Sequence, residues 1–303
     1  MNLKKELQQI LTVDNIKINE PMKNYTTFRV GGPAAYFVTP ENVEQLSSIL
    51  QLCRENQMDW FVLGNGSNLL VSDSGYDGVI ISLQKHFSQI TQSNNRITAQ
   101  SGAMIPKVAN IALKNSLTGL EFAAGIPGSV GGALVMNAGA YGGEIKDTLV
   151  EAVVLTEDGK VITLDAKHLE LGYRSSCILR KNYIVLEAVF ELEKGDSEKI
   201  KRDMTYYNEQ RRLKQPLDKG SAGSTFKRPE GYFAGKLIED AGIKGYQIGG
   251  AAVSDKHAGF VVNLGNATAE DIMNVCNYAR DIVKEKFGVS LEMEVKKLGN
   301  FTK

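Results

Sequence analysis

The 303-residue chain lacks an excess of charge of either sign, since 35 lysines and arginines balance 35 aspartates and glutamates. Such a balance gives no indication of nucleic acid or an anionic membrane as a partner. The chain also lacks an apolar run long enough to cross a bilayer, and its charged N-terminus lacks the apolar core of a signal peptide. We therefore expect a soluble cytoplasmic protein without membrane insertion, with two or three domains.

Cysteine and histidine are both scarce. Cys53, Cys177 and Cys276 lie far apart and form no CxxC pair. This spacing argues against a disulfide framework or a zinc site and favours a reducing compartment. The three histidines are scattered, and none stands at metal-ligand spacing, so we expect surface or internally satisfied histidines and no metal.

Several catalytic and nucleotide-binding motifs are also missing. The segment 64–69, GNGSNL, begins like the dinucleotide motif GxGxxG, but Leu69 occupies the third glycine position. The chain contains no GxxxxGK[ST] phosphate loop and no GxSxG nucleophile motif. A Rossmann fingerprint therefore fails, and hydrolase, kinase and metalloenzyme functions lose support.

What the chain does have is glycine concentrated in two places. The long glycine segment, residues 122–144, contains seven glycines and five alanines and has no charge before Glu144. The short glycine loop, residues 64–68, directly follows the apolar run Trp60 to Leu63. Glycines permit positive φ and close approach, and their N–H groups can form an anion site. The two segments predict an elongated phosphate-containing ligand such as a dinucleotide; tight turns between packed strands are the alternative.

Residue periodicity predicts a mixed α and β chain. Helices are expected from Pro40 to Cys53, over 105–115, from a Ser197 cap to Lys214, over 234–241, and from a Thr268 cap to Gly288. Strands are expected over 36–38, 60–63, 79–83, 96–100, 150–155, 161–164, 183–192, 260–262 and 289–298. The first β-α-β unit places the short glycine loop at a strand's carboxyl end, where open α/β sheets bind ligands.

Three further patches have residue types suited to chemistry. Tyr173 and Arg174 precede two serines, and a guanidinium suits recognition of a carboxylate or phosphate. Ser224 lies in a small-residue loop with Lys227 close behind it, and Glu294 lies on the polar side of the predicted last strand. A surface arginine, a turn serine and a solvated strand carboxylate are the alternatives, because spacing does not show that these residues meet.

Seven ordered motifs extend over nearly the whole chain: TFRVGGP (27–33), GNGSNL (64–69), GIPGSVGG (125–132), NAGAYG (137–142), YRSS (173–176), GSTFK (223–227) and LEMEV (291–295). With these motifs the sequence closely resembles the UDP-N-acetylenolpyruvoylglucosamine reductases, also called UDP-N-acetylmuramate dehydrogenases. These are flavoenzymes of bacterial cell-wall precursor synthesis. The chain is similar to their shorter class, which lacks an additional loop whose tyrosine covers the substrate; Tyr173 is a candidate to contribute in its place.

The resemblance implies an α+β fold of the vanillyl-alcohol-oxidase (PCMH) type with a C-terminal substrate-binding domain. FAD-binding lobes are expected at 1–85, completed by a closing strand within 289–303, and at 86–193, with the substrate domain at 194–288. Some relatives of this fold attach FAD through a histidine; neither glycine segment contains one, so we expect non-covalent FAD. The cofactor-binding residues that the resemblance implies are Arg29, Gly64, Asn65, Gly66, Ser67, Asn68, Leu69, Ala124, Gly125, Pro127, Gly128, Ser129, Gly132, Asn137, Gly139, Ala140 and Arg211.

The implied reaction is reduction of the enolpyruvyl ether of UDP-N-acetylglucosamine enolpyruvate, with NADPH as the reductant of FAD. By resemblance, Ser224 donates the proton, and Arg174 and Glu294 stabilise the enolate-like charge. Glu294 can help only if it is protonated or acts through a donor, since a bare carboxylate would repel that charge. Tyr173, Lys214 and Lys227 are implied in substrate binding; for Lys214, Lys227 and Arg211 solvated charge is the alternative.

Two other functions stay open on the sequence. One is another flavin oxidoreductase of the same fold, and the other is a non-enzymatic nucleotide-binding protein. Arg174, Ser224 and Glu294 together argue against the first, and absence of flavin reoxidation coupled to turnover would exclude it. Loss of substrate reduction on replacing Ser224 with alanine, with flavin reduction by NADPH preserved, would separate the reductase from the second. The oligomeric state is not indicated by the sequence.

Overall fold

The computed structural model describes residues 3–301, which form two compact units. Unit 1 contains the chain up to Lys17, Tyr36–Asn65 and Gly78–Gln210. Unit 2 contains Ile18–Ala35, Gly66–Asp77 and the chain from Arg211 onward. Each unit therefore draws on distant parts of the sequence.

The α-helices, in chain order, are α1 Leu3–Ile10, α2 Val43–Glu55, α3 Ile105–Lys114, α4 Val130–Val135, α5 Cys177–Arg180, α6 Ser197–Lys214, α7 Ala234–Asp240 and α8 Ala269–Phe287. The strands are β1 Ile16–Pro21, β2 Pro33–Val38, β3 Trp60–Leu63, β4 Leu69–Val71, β5 Tyr76–Ser82, β6 Ile90–Ser93, β7 Arg96–Gln100, β8 Leu117–Thr118, β9 Gly139–Ala140, β10 Gly143–Glu144, β11 Leu149–Leu155, β12 Val161–Asp165, β13 Ile184–Glu191, β14 Glu193–Lys194, β15 Gln247–Ile248, β16 Ala251–Val253, β17 Val261–Asn263 and β18 Lys296–Leu298.

Unit 1 is built on β-sheets covered by helices. An antiparallel sheet has the strand order β12-β11-β13-β7-β6, and its β11–β12 hairpin turns where the sequence EDGK predicts it. Within the same unit, β3 pairs in parallel with β5, from the pair Trp60–Val79 to the pair Leu63–Ser82. Helices α1 and α2 share one buried apolar cluster with β3 and β5, while α3 and α4 belong to a second cluster around β7, β11 and β13. The long glycine segment lies wholly within this unit.

Unit 2 is organised around helix α8. Thr268 begins the helix with a capping box, in which its Oγ accepts the Asp271 N–H at 3.0 Å and Asp271 accepts the Thr268 N–H at 3.0 Å. Gly288 ends it in the left-handed conformation, with φ of 70°. The buried face of α8 packs on the antiparallel sheet β15-β16-β17, and β18 pairs in parallel with β4. The predicted cap and end of this helix are therefore confirmed.

Three predictions about element limits are wrong. Helix α2 begins at Val43, not at Pro40, because Asn42 Oδ1 accepts the Gln45 N–H at 2.9 Å. Ser197 does not cap α6; the Asp196 carboxylate accepts the Glu198 N–H at 2.9 Å instead.

The third error is the closing strand, which spans Lys296–Leu298 and not 289–298. Leu291 and Val295 are buried as their alternation predicts. The backbone at Glu292 and Glu294, however, bonds to the loop at Lys227 and Thr225. The alternating pattern therefore predicted burial correctly but not membership of a sheet.

Candidate functional site

The first two residues of the short glycine loop lie against the long glycine segment within unit 1. Asn65 Nδ2 donates to the Pro127 carbonyl at 2.8 Å, and Gln84 donates to Asn65 Oδ1 at 3.1 Å. A Cβ added at Gly64 would lie 2.7 Å from Ser129 Oγ. Because real Cβ atoms do not approach so closely, glycine at position 64 permits this contact. The structure thus joins two segments that the sequence could only show to be similar.

The long glycine segment contains a short helix, α4, that the sequence did not predict. Ser129 caps it by accepting the Gly132 N–H at 3.4 Å. The N–H groups of Val130 and Gly131 donate to carbonyl oxygens in residues 101–103, each at 2.8 Å. These two donors therefore hold the segment onto the turn that follows β7. The N–H of Gly131 thus points into the protein, so not every glycine of the segment turns its N–H outward as the composition suggests.

Asn137 organises the end of the long glycine segment. Its side chain is 1 % exposed, donates to Glu144 Oε2 at 2.9 Å and to the Gly172 carbonyl at 3.2 Å, and accepts the Lys146 N–H at 3.0 Å. Asn137 also has a positive φ of 40°, which asparagine tolerates better than most residues. Its amide thus fastens the segment to the turn that carries Arg174.

Tyr173 and Arg174 occupy the centre of a tight turn. Gly172 and Ser175 close the turn by exchanging two backbone hydrogen bonds, of 3.0 and 3.2 Å. Arg174 has a φ of 52°, and its guanidinium carbon lies 5.2 Å from the centre of the exposed Tyr173 ring. A non-glycine residue in this conformation costs roughly 1–2 kcal/mol, so the surrounding bonds must hold it.

The surroundings of Arg174 carry opposite charges. A hydrogen bond from Lys146 is the main cause that lowers the pKa of the Glu144 carboxyl, and the Asn137 amide and the charges of Lys146 and Arg174 act in the same direction. Lys146 Nζ lies 2.8 Å from Glu144 Oε2. The cationic Arg174 side chain at this turn suits an anionic ligand group.

In unit 2, the turn at residues 25–31 packs on the second half of the short glycine loop. The Thr27 N–H donates to the Gly66 carbonyl at 3.1 Å. Gly66 has a φ of 60°, and a Cβ there would overlap the carbonyl oxygen of Tyr25. Arg29 is exposed, with a φ of 58°. The predicted cofactor residues Arg29 and Gly66 therefore lie in two loops that pack against each other within unit 2.

Unit 2 also brings Ser224 and Glu294 to neighbouring positions. They lie on either side of Thr225, whose carbonyl accepts the Glu294 N–H at 2.9 Å and whose N–H donates to the Gly259 carbonyl at 2.8 Å. The fully buried Thr225 side chain accepts the Val261 N–H at 2.9 Å. Ser224 itself is exposed and Glu294 is half-buried. Thr225 is a site-building residue that sequence reasoning missed, since its partners lie 34 to 69 positions away.

The predicted phosphate-binding cations lie in different settings. Lys227 forms an ion pair with Glu292, so it would have to leave that carboxylate to bind a phosphate. Arg211 and Lys214 lie in the last turn of α6, where Arg211 is half-buried and Lys214 is exposed.

Asn68 connects the short glycine loop to the Glu294 backbone. Its Nδ2 donates to the Glu294 carbonyl at 3.3 Å. Within residues 3–301, its buried Oδ1 has no hydrogen-bond partner. A buried acceptor of this kind is usually satisfied by water or a ligand.

The remaining predicted cofactor residues divide between the units. Ala124, Gly125, Gly128, Gly139 and Ala140 lie in unit 1, whereas Ser67 and Leu69 lie in unit 2. Arg174 and Tyr173 belong to unit 1, and Ser224, Glu294, Lys214 and Lys227 belong to unit 2.

A separate groove of about 790 Å³ lies beside the first residue of β3, lined by Cys53, Arg54, Trp60, Lys181 and Tyr183 among others. It contains none of the predicted site residues. In the described range, no group of three or more His, Cys, Asp and Glu side chains is arranged to hold a metal. No helix between residues 3 and 301 combines the length and apolar character needed to span a bilayer.

Two family models match the chain. Residues 34–165 match the FAD binding domain, and residues 215–298 match the C-terminal domain of UDP-N-acetylenolpyruvoylglucosamine reductase. These matches confirm the predicted α+β fold with an FAD-binding part and a C-terminal domain, and identify a flavin-dependent oxidoreductase.

Individual relatives carry the same name over nearly their whole length. The UDP-N-acetylenolpyruvoylglucosamine reductase of Clostridium novyi is 51 % identical, with 99 % of this chain and 97 % of that protein covered. The one of Clostridium tetani is 52 % identical, with coverage of 94 % and 93 %. The solved reductase of Thermus caldophilus superposes with a TM-score of 0.80 at 35 % identity, covering 94 % of this chain and 98 % of that one. The chain therefore belongs to the UDP-N-acetylenolpyruvoylglucosamine reductase family.

Proposed function

We propose that this protein reduces UDP-N-acetylglucosamine enolpyruvate to UDP-N-acetylmuramate, using FAD and NADPH, as a step of peptidoglycan precursor synthesis in the cytoplasm. The name shared by relatives about half identical over nearly full length supports this activity. The observation in the fold that carries it is the pairing of Ser224 with Glu294 around the Thr225 peptide. This pairing brings the backbone of a hydroxyl-bearing residue next to the backbone of a carboxyl-bearing residue, which supports the roles proposed for them.

The residues of the chain fit FAD. Gly64 and Gly66 leave no room for a side chain at their positions, so main chain can approach a ligand closely. The buried Asn68 Oδ1 offers an acceptor to a ligand N–H. The residues that would hold FAD, non-covalently, are Arg29, Gly64, Asn65, Gly66, Ser67, Asn68, Leu69, Ala124, Gly125, Pro127, Gly128, Ser129, Gly132, Asn137, Gly139, Ala140 and Arg211.

The proposed chemistry assigns different roles to three side chains. Bound FAD, once reduced by NADPH, supplies a hydride for the vinyl carbon. Arg174 binds the substrate carboxylate, because a guanidinium matches a carboxylate in a bidentate manner and offsets the negative charge that develops next to it. Ser224 Oγ donates the proton to the neighbouring carbon. Glu294 helps to hold the carboxylate either as a protonated group or through a hydrogen-bond donor, since a bare carboxylate would repel the developing charge.

Substrate binding is assigned to Tyr173, Lys214 and Lys227. Lys227 can contribute to diphosphate binding by exchanging the Glu292 carboxylate for phosphate. The division into lobes 1–85 and 86–193 and a substrate domain 194–288 is part of the proposal, as is the role of 289–303 in completing the first lobe.

The test is an anaerobic visible spectrum of the purified protein, followed through addition of NADPH and then UDP-N-acetylglucosamine enolpyruvate. We expect a flavin band that bleaches with NADPH and returns with the enolpyruvyl substrate. A band that bleaches and does not return would show that the substrate assignment is wrong. A colourless protein that cannot be reconstituted with FAD would contradict the cofactor assignment as well.

A further inference from the structure

His257 lies at the base of the loop that supports Ser224. Its Nδ1 accepts the Gly259 N–H at 3.1 Å, and its ring meets the Phe260 ring edge-to-face at 4.9 Å. A Cβ added at Gly235 in α7 would lie 3.3 Å from His257 Cε1. Ring packing on two sides and a backbone donor fix the imidazole in one orientation.

A short chain of hydrogen bonds leads from this imidazole to the proposed site. The Gly259 N–H donates to His257, and the Gly259 carbonyl accepts the Thr225 N–H at 2.8 Å. The Thr225 carbonyl in turn accepts the Glu294 N–H at 2.9 Å, and Ser224 directly precedes Thr225. The orientation of Gly259 is therefore linked to the backbone that carries both Ser224 and Glu294.

We propose that His257 is a positioning residue: as a neutral acceptor through Nδ1, it orients Gly259 and thereby holds Ser224 and Glu294 for protonation of the substrate. This inference rests on the proposed reductase function. It makes no use of a contact between His257 and the substrate. It does require that Nδ1 be unprotonated, since an N–H at that atom would face the Gly259 N–H.

The charges around the imidazole allow this state near neutral pH. Burial is the main cause that lowers the pKa of His257, and the charge of Lys244 acts in the same direction, whereas a hydrogen bond with its own backbone and the charge of Glu239 act against it. Glu239 of α7 is paired with Lys244 at 3.1 Å, and Asp255 and Lys256 are the charged neighbours in the segment of His257 itself. Because the folded pKa is lowered, the unfolded chain takes up the proton first, so acidification below about pH 6.5 reduces stability.

The experiment compares wild-type, His257→Asn and His257→Gln proteins in their FAD-loaded forms. Asparagine places an acceptor oxygen close to the position of Nδ1, whereas glutamine places it close to Nε2. We expect His257→Gln to slow flavin reoxidation by the enolpyruvyl substrate by on the order of tenfold, and His257→Asn to restore most of that rate. Flavin reduction by NADPH should stay within about twofold in both variants, because this step needs neither Ser224 nor Glu294.

The pH dependence of flavin reoxidation gives a second readout, which would not change if His257 had only a structural role. In the wild type, the rate of flavin reoxidation should fall on acidification as His257 becomes protonated. In His257→Asn, the pH profile should lack this acidic limb, because asparagine does not titrate. Identical acid limbs in the two proteins, or reduction and reoxidation slowed equally by His257→Gln, would overturn the proposal.

An NMR titration of the wild-type protein gives a check that needs neither substrate turnover nor a variant. The Gly259 amide should shift with the same midpoint as the His257 imidazole, and independent midpoints would contradict the link even if His257→Gln fails to fold. If the wild-type flavin is not reoxidised by the enolpyruvyl substrate at all, the proposed function fails, while the NMR result still decides whether His257 controls Gly259.

Discussion

The long glycine segment and the serine loop, residues 220–227, are both rich in small residues, but Gly143 and Gly223 are needed for different reasons. A Cβ at Gly143, in the long segment, would lie 2.5 Å from Phe122 Cδ1, so lack of space requires glycine there. A Cβ at Gly223, in the serine loop, would meet no atom of residues 3–301 within 4 Å, but the φ of Gly223 is 77°. Gly143 therefore permits tight packing, and Gly223 permits a backbone conformation next to the exposed Ser224. A glycine-rich composition therefore does not identify one physical role.

The largest expected effect is loss of the proton donor in the serine loop. Ser224→Ala should slow flavin reoxidation by UDP-N-acetylglucosamine enolpyruvate by at least about 100-fold, because the hydroxyl that donates the proton is gone. Flavin reduction by NADPH should be unchanged. Both rates are measured by anaerobic stopped-flow absorbance at the flavin band.

Ser221→Ala is the matched control, since Ser221 lies in the same loop and its backbone, not its hydroxyl, bonds to Thr27. It should retain both rates. Equal loss of both half-reactions in Ser224→Ala would mean that the serine supports the fold and does not donate the proton.

A smaller effect tests the space limit in the long glycine segment. Gly143→Ala should lower the free energy of unfolding by about 1–3 kcal/mol, because the added methyl group overlaps the buried Phe122 ring. Urea denaturation of the FAD-loaded protein measures the change.

Gly128→Ala provides the comparison, because the nearest atom of residues 3–301 to its added Cβ would be Ile126 Cγ2, at an ordinary 3.8 Å. It should change the unfolding free energy by less than about 0.5 kcal/mol, apart from any loss of FAD affinity, which titration with FAD measures separately. Equal destabilisation by the two substitutions would refute packing as the reason for glycine.

The smallest effect tests the backbone requirement in the serine loop. Gly223→Ala should cost about 1 kcal/mol, because alanine is disfavoured at positive φ, and Gly223→Asn should cost less. Thermal unfolding of the three proteins ranks them. If alanine and asparagine behave alike, the left-handed conformation does not decide the residue at this position.

Sequence reasoning predicted an element correctly where the residues that determine its limits are close to it in the chain. Helix α8 was predicted at both ends because Thr268, Asp271 and Gly288 act within one turn of their own helix. Strands β3 and β7 were also predicted at their observed limits. Turn residues bound the apolar run of β3 and the alternating run of β7, so the limits again depend on nearby residues. Ser197 was a plausible cap, but the neighbouring Asp196 carboxylate competes for the same N–H groups.

Predictions failed where distant backbone decided the outcome. The segment 289–295 alternates like a strand, yet its hydrogen bonds go to residues 225–227. The helix α4 was hidden by glycine, which has low helix propensity, and it is stabilised by residues 101–103. The three-domain division and the residue roles stay predictions.

The sequence by itself determined the flavin family, the α+β class and the residue types of the site, because motifs and periodicity are properties of neighbouring residues. Only the tertiary structure decided that Gly64 packs on Ser129, that Asn137 fastens the Arg174 turn, and that Ser224 and Glu294 share the Thr225 peptide. The physical reason is that each of these contacts joins segments tens of residues apart, and closing such loops depends on the packing of the whole unit.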